Sequence, residues 1–67
     1  MARVIINKNV RFGKPVIEGT RITVDEVIGA LAGGMTFDEI EEEYNMSKED
    51  IIAALKYAAE VINKVKH

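Results

Sequence analysis

The sequence predicts a mostly α fold: three helices in a helix-turn-helix-like arrangement, preceded by a short N-terminal β-hairpin or strands. Three observations carry this prediction. A hydroxyl residue followed three positions later by an acid occurs at Thr23 with Glu26, Thr36 with Glu39 and Ser47 with Asp50, each just ahead of an apolar pattern of helical period. Val4, Ile5 and Ile6 form a β-branched run suited to a pleated strand. The whole chain has 67 residues, enough for one domain at most, with strands and turns over residues 1–23 and the helical bundle over 24–67.

Taken in order, Val4 to Ile6 is the first strand and Asn7 to Asn9 a turn. Val10-Arg11-Phe12 is expected to be a second extended piece before Gly13. The stretch GKPVIEGTRITV, Gly13 to Val24, then makes a corner. Pro15 removes a donor and pushes Lys14 toward extended geometry. Val16-Ile17 and Arg21-Ile22 flank a tight reversal at Gly19, where a positive φ is needed. Alternation places Val16 and Glu18 on one face and Ile17 on the other, with Arg21 near enough to pair with Glu18. The other reading of this corner is an anion contact by Lys14 and Arg21 beside backbone donors around Gly19. It is not a nucleotide-binding P-loop, because GKP lacks both the Ser or Thr after the lysine and the earlier glycine.

The first helix is expected from about Val24 to Ala32, with Val27, Ile28 and Leu31 on one face, closed by Gly33-Gly34. The second runs from about Phe37 to Glu43 and buries Phe37, Ile40 and Tyr44. After a short turn at Asn45–Ser47, the third runs from Lys48 to about Lys64 without glycine or proline. Two helices across so short a turn, the second longer, match the spacing of a helix-turn-helix, which plain antiparallel packing also shares. At 100° per residue, the apolar side chains from Ile51 to Val65 cover roughly 220° of the third helix, against little more than 100° for a helix with one covered face.

That excess bears on assembly. A chain of this size buries only about 60% of the surface it exposes when unfolded, so small scaffolds add disulfides, metals or partner subunits. Cysteine is absent and the single histidine is His67, so no disulfide, metal or cofactor site is expected. A homodimer is expected instead, with Val4, Ile6, Ile52, Tyr57, Ala59 and Val61 at the interface. No signal peptide and no membrane span are apparent, and a cytoplasmic location is expected.

Charge is uneven. Residues 1–24 hold five basic residues against one acid, residues 25–50 nine acids against one lysine, and residues 51–67 three lysines against one acid, for a net −2. Any nucleic-acid contact therefore belongs to the first third, at Arg3, Lys8, Arg11, Lys14 and Arg21. Lys48 and Lys56 join them on the third helix, the recognition position of a helix-turn-helix. Opposing this, Asp38, Glu39, Glu41, Glu42 and Glu43 crowd the second helix, and phosphate repels them. The run reads as a solvated face or a surface for a basic partner. The only serine is Ser47 at a cap position, so no catalytic triad is available and an enzyme is not expected.

The corner GKPVIEGTRITV, with GMT at Gly34–Thr36, EIEEEY at Glu39–Tyr44 and IIAALKYAAE at Ile51–Glu60, resembles the small prokaryotic family catalogued as domain of unknown function 433. The resemblance covers residues from about 13 to 60. It implies a three-helix, helix-turn-helix-like fold with short N-terminal strands. It further implies an antitoxin-like role, comparable to the antitoxin halves of VapBC-type modules, which are encoded beside a toxin with a PIN-type nuclease domain. The expected action is therefore non-catalytic binding of operator DNA, a PIN-type toxin, or both. The alternative is a protein-interaction adaptor or dimerisation module that does not touch DNA.

Overall fold

Two antiparallel strands and three helices follow one another in the expected order. The computed structural model describes residues 2–65; His67, expected to lack a second histidine for metal binding, lies outside them. The elements are β1 (Val4–Ile6), a 3-10 turn (Arg11–Gly13), β2 (Pro15–Ile17), α1 (Val24–Ala32), α2 (Phe37–Tyr44) and α3 (Lys48–Val65).

Each helix starts where its cap residues dictate. The Thr23 hydroxyl accepts the Glu26 N–H at 3.2 Å while the Glu26 carboxylate accepts the Thr23 N–H at 2.8 Å. Thr36 and Glu39 repeat this reciprocal bond at 3.1 and 2.8 Å. Ser47 and Asp50 do so at 3.2 and 3.0 Å, so the third and weakest signature also forms a full box. Helix ends differ in their residue. Gly34 takes φ +98° after α1, whereas Asn45 takes φ +53° after α2, asparagine being the side chain that tolerates the left-handed region best.

β1 and β2 pair antiparallel, with Val4 opposite Ile17 and Ile6 opposite Pro15. The other edge of β2 meets Thr23 through an isolated bridge at Val16, and the Ile17 N–H bonds to the Ile22 carbonyl at 3.0 Å. The chain thus reverses around Gly19, φ +84°, as its sequence requires. Beneath this ribbon, Ile17, Val24, Val27, Ile40, Met46, Ile51 and Ala54 form one buried cluster drawn from β2 and all three helices. α1 and α3 share the broadest helix–helix contact.

Two local expectations are corrected, and β2 is covered more fully than a surface strand would be. Of Val10-Arg11-Phe12 only Val10 is extended: an Asn7 turn, with the Asn9 N–H on the Asn7 side chain and the Val10 N–H on the Asn7 carbonyl, redirects the chain. Arg11 and Phe12 then take φ +49° and +60°. Both faces of β2 are covered, so Val16 and Ile17 are both buried. β2 lies between β1 and the Thr23 bridge and packs on α1 and α3, so neither side chain reaches solvent. Finally, Glu18 pairs with Arg3 and not with Arg21. The strand register lays Arg3 beside Glu18, whose N–H bonds to the Arg3 carbonyl at 2.8 Å.

Candidate functional site

The basic N-terminal segment is held down by acids. Arg3 donates to the Glu18 carboxylate at 2.7 and 3.2 Å. Arg11 reaches across 15 residues to Glu26 at 3.1 Å and also donates to the Arg21 carbonyl at 3.0 Å. Lys14 meets Asp25 at 3.2 Å. Two of these cations therefore clamp the loop before β2 onto the first turn of α1, where carboxylates already suit the helix dipole. The Thr23 hydroxyl completes the network by donating to Asp25.

Electrostatics follow from these bonds. The Thr23 backbone N–H holds the Glu26 pKa below its usual value, and Arg11 adds to this against partial burial. The Thr23 hydroxyl, then Lys14, lowers that of Asp25. The Arg3 hydrogen bond lowers that of Glu18. All three carboxylates are thus tuned to stay ionised, which makes them structural partners and poor proton donors.

Of the seven expected phosphate contacts, Arg3, Arg11 and Lys14 are in ion pairs, while Lys8, Arg21, Lys48 and Lys56 take no part in the salt bridges among the described residues. All four are exposed. The structure brings Arg3 and Lys56 together on one shallow cleft of about 230 Å³, between the start of β1 and α3, shared with Glu60. Lys48 stands at the start of α3 with Glu49 and Asp50 beside it, and α2 carries its five acids just before the turn. Positive charge is thus dispersed, and three of the seven cations are compensated by ion pairs.

Apolar surface is more concentrated. A groove of about 550 Å³ lies between α1 and α3, walled by Val24, Ile28, Tyr57, Ala58, Val61 and Ile62, with Pro15 and the Lys14–Asp25 pair also lining it. Tyr57 and Val61 among the expected interface residues line it. Ile52 sits in a different cleft with Glu49, Ala53 and Lys56. Ala59 is exposed, Val4 half-buried, and Ile6 exposed on β1. Ile28 and Ile62 were not singled out by the sequence as interface residues, although both lie on apolar helix faces.

Among the described residues the most exposed large apolar side chain is Phe12, at 98%, and sequence reasoning passed over it as part of a strand. Among the described residues no cluster of three metal-ligating side chains occurs, and no helix is long and apolar enough to cross a membrane.

Against known proteins, the family described as Protein of unknown function (DUF433) matches residues 4–58. A Mycobacterium tuberculosis protein named "Putative antitoxin VapB45" is 30% identical over 54 residues, covering 81% of this chain and 23% of that protein. The crystal structure of Rv2018 from Mycobacterium tuberculosis is similar at a TM-score of 0.69 and 29% identity, over 78% of this chain and 24% of that one. This chain spans about a quarter of the length of the relatives it matches.

Proposed function

The chain belongs to the DUF433 family, and we propose that it is a non-catalytic, antitoxin-like module that acts by binding a toxin protein. The observation that carries this reading is the likeness, across 81% of the chain, to a relative named as an antitoxin. The family match over residues 4–58 includes the corner, α1, α2 and the first part of α3. The single serine hydroxyl, Ser47, is committed to capping α3, which agrees with a binding role.

Charge favours a protein partner over DNA as the main target. Affinity for a duplex comes largely from cations that displace counterions. Three of the five basic residues in the first third are already neutralised by Glu18, Glu26 and Asp25. The five acids of α2 form an exposed or half-exposed face suited to a basic protein surface. A PIN-type nuclease encoded beside this chain is the partner the family resemblance implies, with both proteins acting in the cytoplasm.

A second reading is operator binding by α2 and α3 as a helix-turn-helix. It is favoured by the three-residue turn between them and by exposed Lys48 and Lys56 on α3. One experiment separates the two. The chain is co-expressed with a PIN-type nuclease, sought first in the neighbouring gene, and DNA anisotropy with the upstream promoter is run on the same material at low salt. We expect the two proteins to copurify and the nuclease to be inhibited. Absence of both complex and inhibition overturns the toxin-binding reading. Promoter binding no tighter than random duplex overturns operator recognition.

A further inference from the structure

We propose that two copies of this chain pair about a two-fold axis by each inserting Phe12 into the other's α1–α3 groove. The inference stands apart from the toxin-binding reading, because knob and hole both belong to this chain.

The knob is built to project. Phe12 is 98% exposed, and its backbone sits at φ +60°, ψ +32°, a conformation a bulky L-residue rarely takes. Bonds on both sides fix the loop that displays it. The Gly13 N–H reaches the Val10 carbonyl and the Lys14 N–H the Arg11 carbonyl, each at 3.1 Å. Arg11 ties the same loop to Arg21 and Glu26. A flexible loop would lay the ring against its own domain. This one holds it in water.

The hole fits the knob in chemistry and size. Its walls are Val24, Ile28, Tyr57, Ala58, Val61 and Ile62, and about 550 Å³ is available. A cavity of about 150 Å³ is enough to take a benzene ring. Tyr57 offers an aromatic neighbour for the incoming ring. Charge does not oppose approach: the cation lining the groove, Lys14, is matched by Asp25, and the Arg11 next to Phe12 is matched by Glu26. Two like copies therefore meet without uncompensated charge at the contact.

Position is compatible with two-fold symmetry. Phe12 lies three residues before Pro15, which lines the groove, so at most about 10 Å of chain separates knob from hole. A two-fold axis between them satisfies both contacts at once and closes the assembly. The ring does not occupy the groove of its own chain, since it is 98% exposed and absent from the groove lining.

The test compares the native chain with Phe12→Gly and Ile62→Asp by sedimentation, and maps the contact by isotope-filtered NOEs in a mixed labelled and unlabelled sample. Glycine suits the positive φ, and both side chains are exposed, so each variant should keep its fold, checked by circular dichroism. We expect the native chain to sediment at twice its 7.5 kDa mass. Each variant should weaken association at least about a hundredfold, as loss of an aromatic anchor on both sides of an interface does. NOEs should join the Phe12 ring of one copy to Ile28 or Ile62 methyls of the other. A native monomer up to millimolar concentration overturns the proposal. So does a dimer that survives Phe12→Gly, or one whose intermolecular NOEs leave Phe12 out.

Discussion

The corner from Lys14 to Glu26 and the last two turns of α3 are opposite in how they use their side chains. At the corner, Val16, Ile17 and Thr23 are buried, and Lys14, Asp25 and Glu26 are tied into bonds that cross from loop to helix. Over residues 59–65 every side chain is exposed, although Val61, Ile62 and Val65 continue the apolar pattern that Ile51 and Ala54 bury further back. Both segments are rich in β-branched apolar residues. One is surrounded on its strand edges and by two helices; the other extends beyond anything that covers it. An apolar pattern thus tells which face is ready for burial, not whether a neighbour arrives to bury it.

The sharpest way to break this comparison is to shorten the same residue type in both places. Ile17→Ala removes a side chain at 0% exposure and should lower unfolding free energy by about 2–5 kcal/mol. Ile62→Ala, measured where the chain is monomeric, should change it by no more than about 0.5 kcal/mol. Equal losses in urea melts would show that the end of α3 is covered after all.

A smaller effect is expected at Thr23. Alanine there removes the hydroxyl that accepts the Glu26 N–H and donates to Asp25, with a loss of about 1–2 kcal/mol in the same melts. No loss would mean that the corner is held by packing alone.

Acid provides the mildest probe. The folded-state pKa values of Glu18, Asp25 and Glu26 lie below their ordinary values. In the unfolded chain, carboxylates protonate near about pH 4. The unfolded state therefore binds more protons in that range, and stability falls as pH drops. The contribution is complete only above about pH 5 and is lost as pH passes down through the lower folded values. Thermal melts between pH 7 and pH 3 should show this acid limb, and Glu26→Gln should make it shallower. An unchanged limb would remove the corner network as its cause.

How far each feature could be read in advance depended on its range along the chain. The boxes at Thr23, Thr36 and Ser47 were legible because each bond spans three residues. Helix boundaries followed within a residue or so, with α2 ending at Tyr44 where Glu43 was expected. Arg3 with Glu18 and Arg11 with Glu26 were not legible: each pair is 15 residues apart, and strand register or loop path decides it. Phe12 was misread because its β-favouring type outweighed the Asn7 turn signal before it. For the candidate site, the seven basic residues could be counted from sequence, but not which of them acids had already neutralised.

What the sequence alone determined was therefore local: three capped helices, a strand, a glycine-set reversal, the apolar face of each helix and the acidic character of α2. Those depend on side chains within about four residues, where helical hydrogen bonds and caps act. Only the tertiary structure decided that β2 is buried on both sides, that Arg11 and Lys14 are clamped to α1, and that Phe12 stands in solvent beside an apolar groove. Burial and ion pairing depend on which distant segment arrives at a surface, and nothing in a residue's neighbours along the chain specifies that arrival.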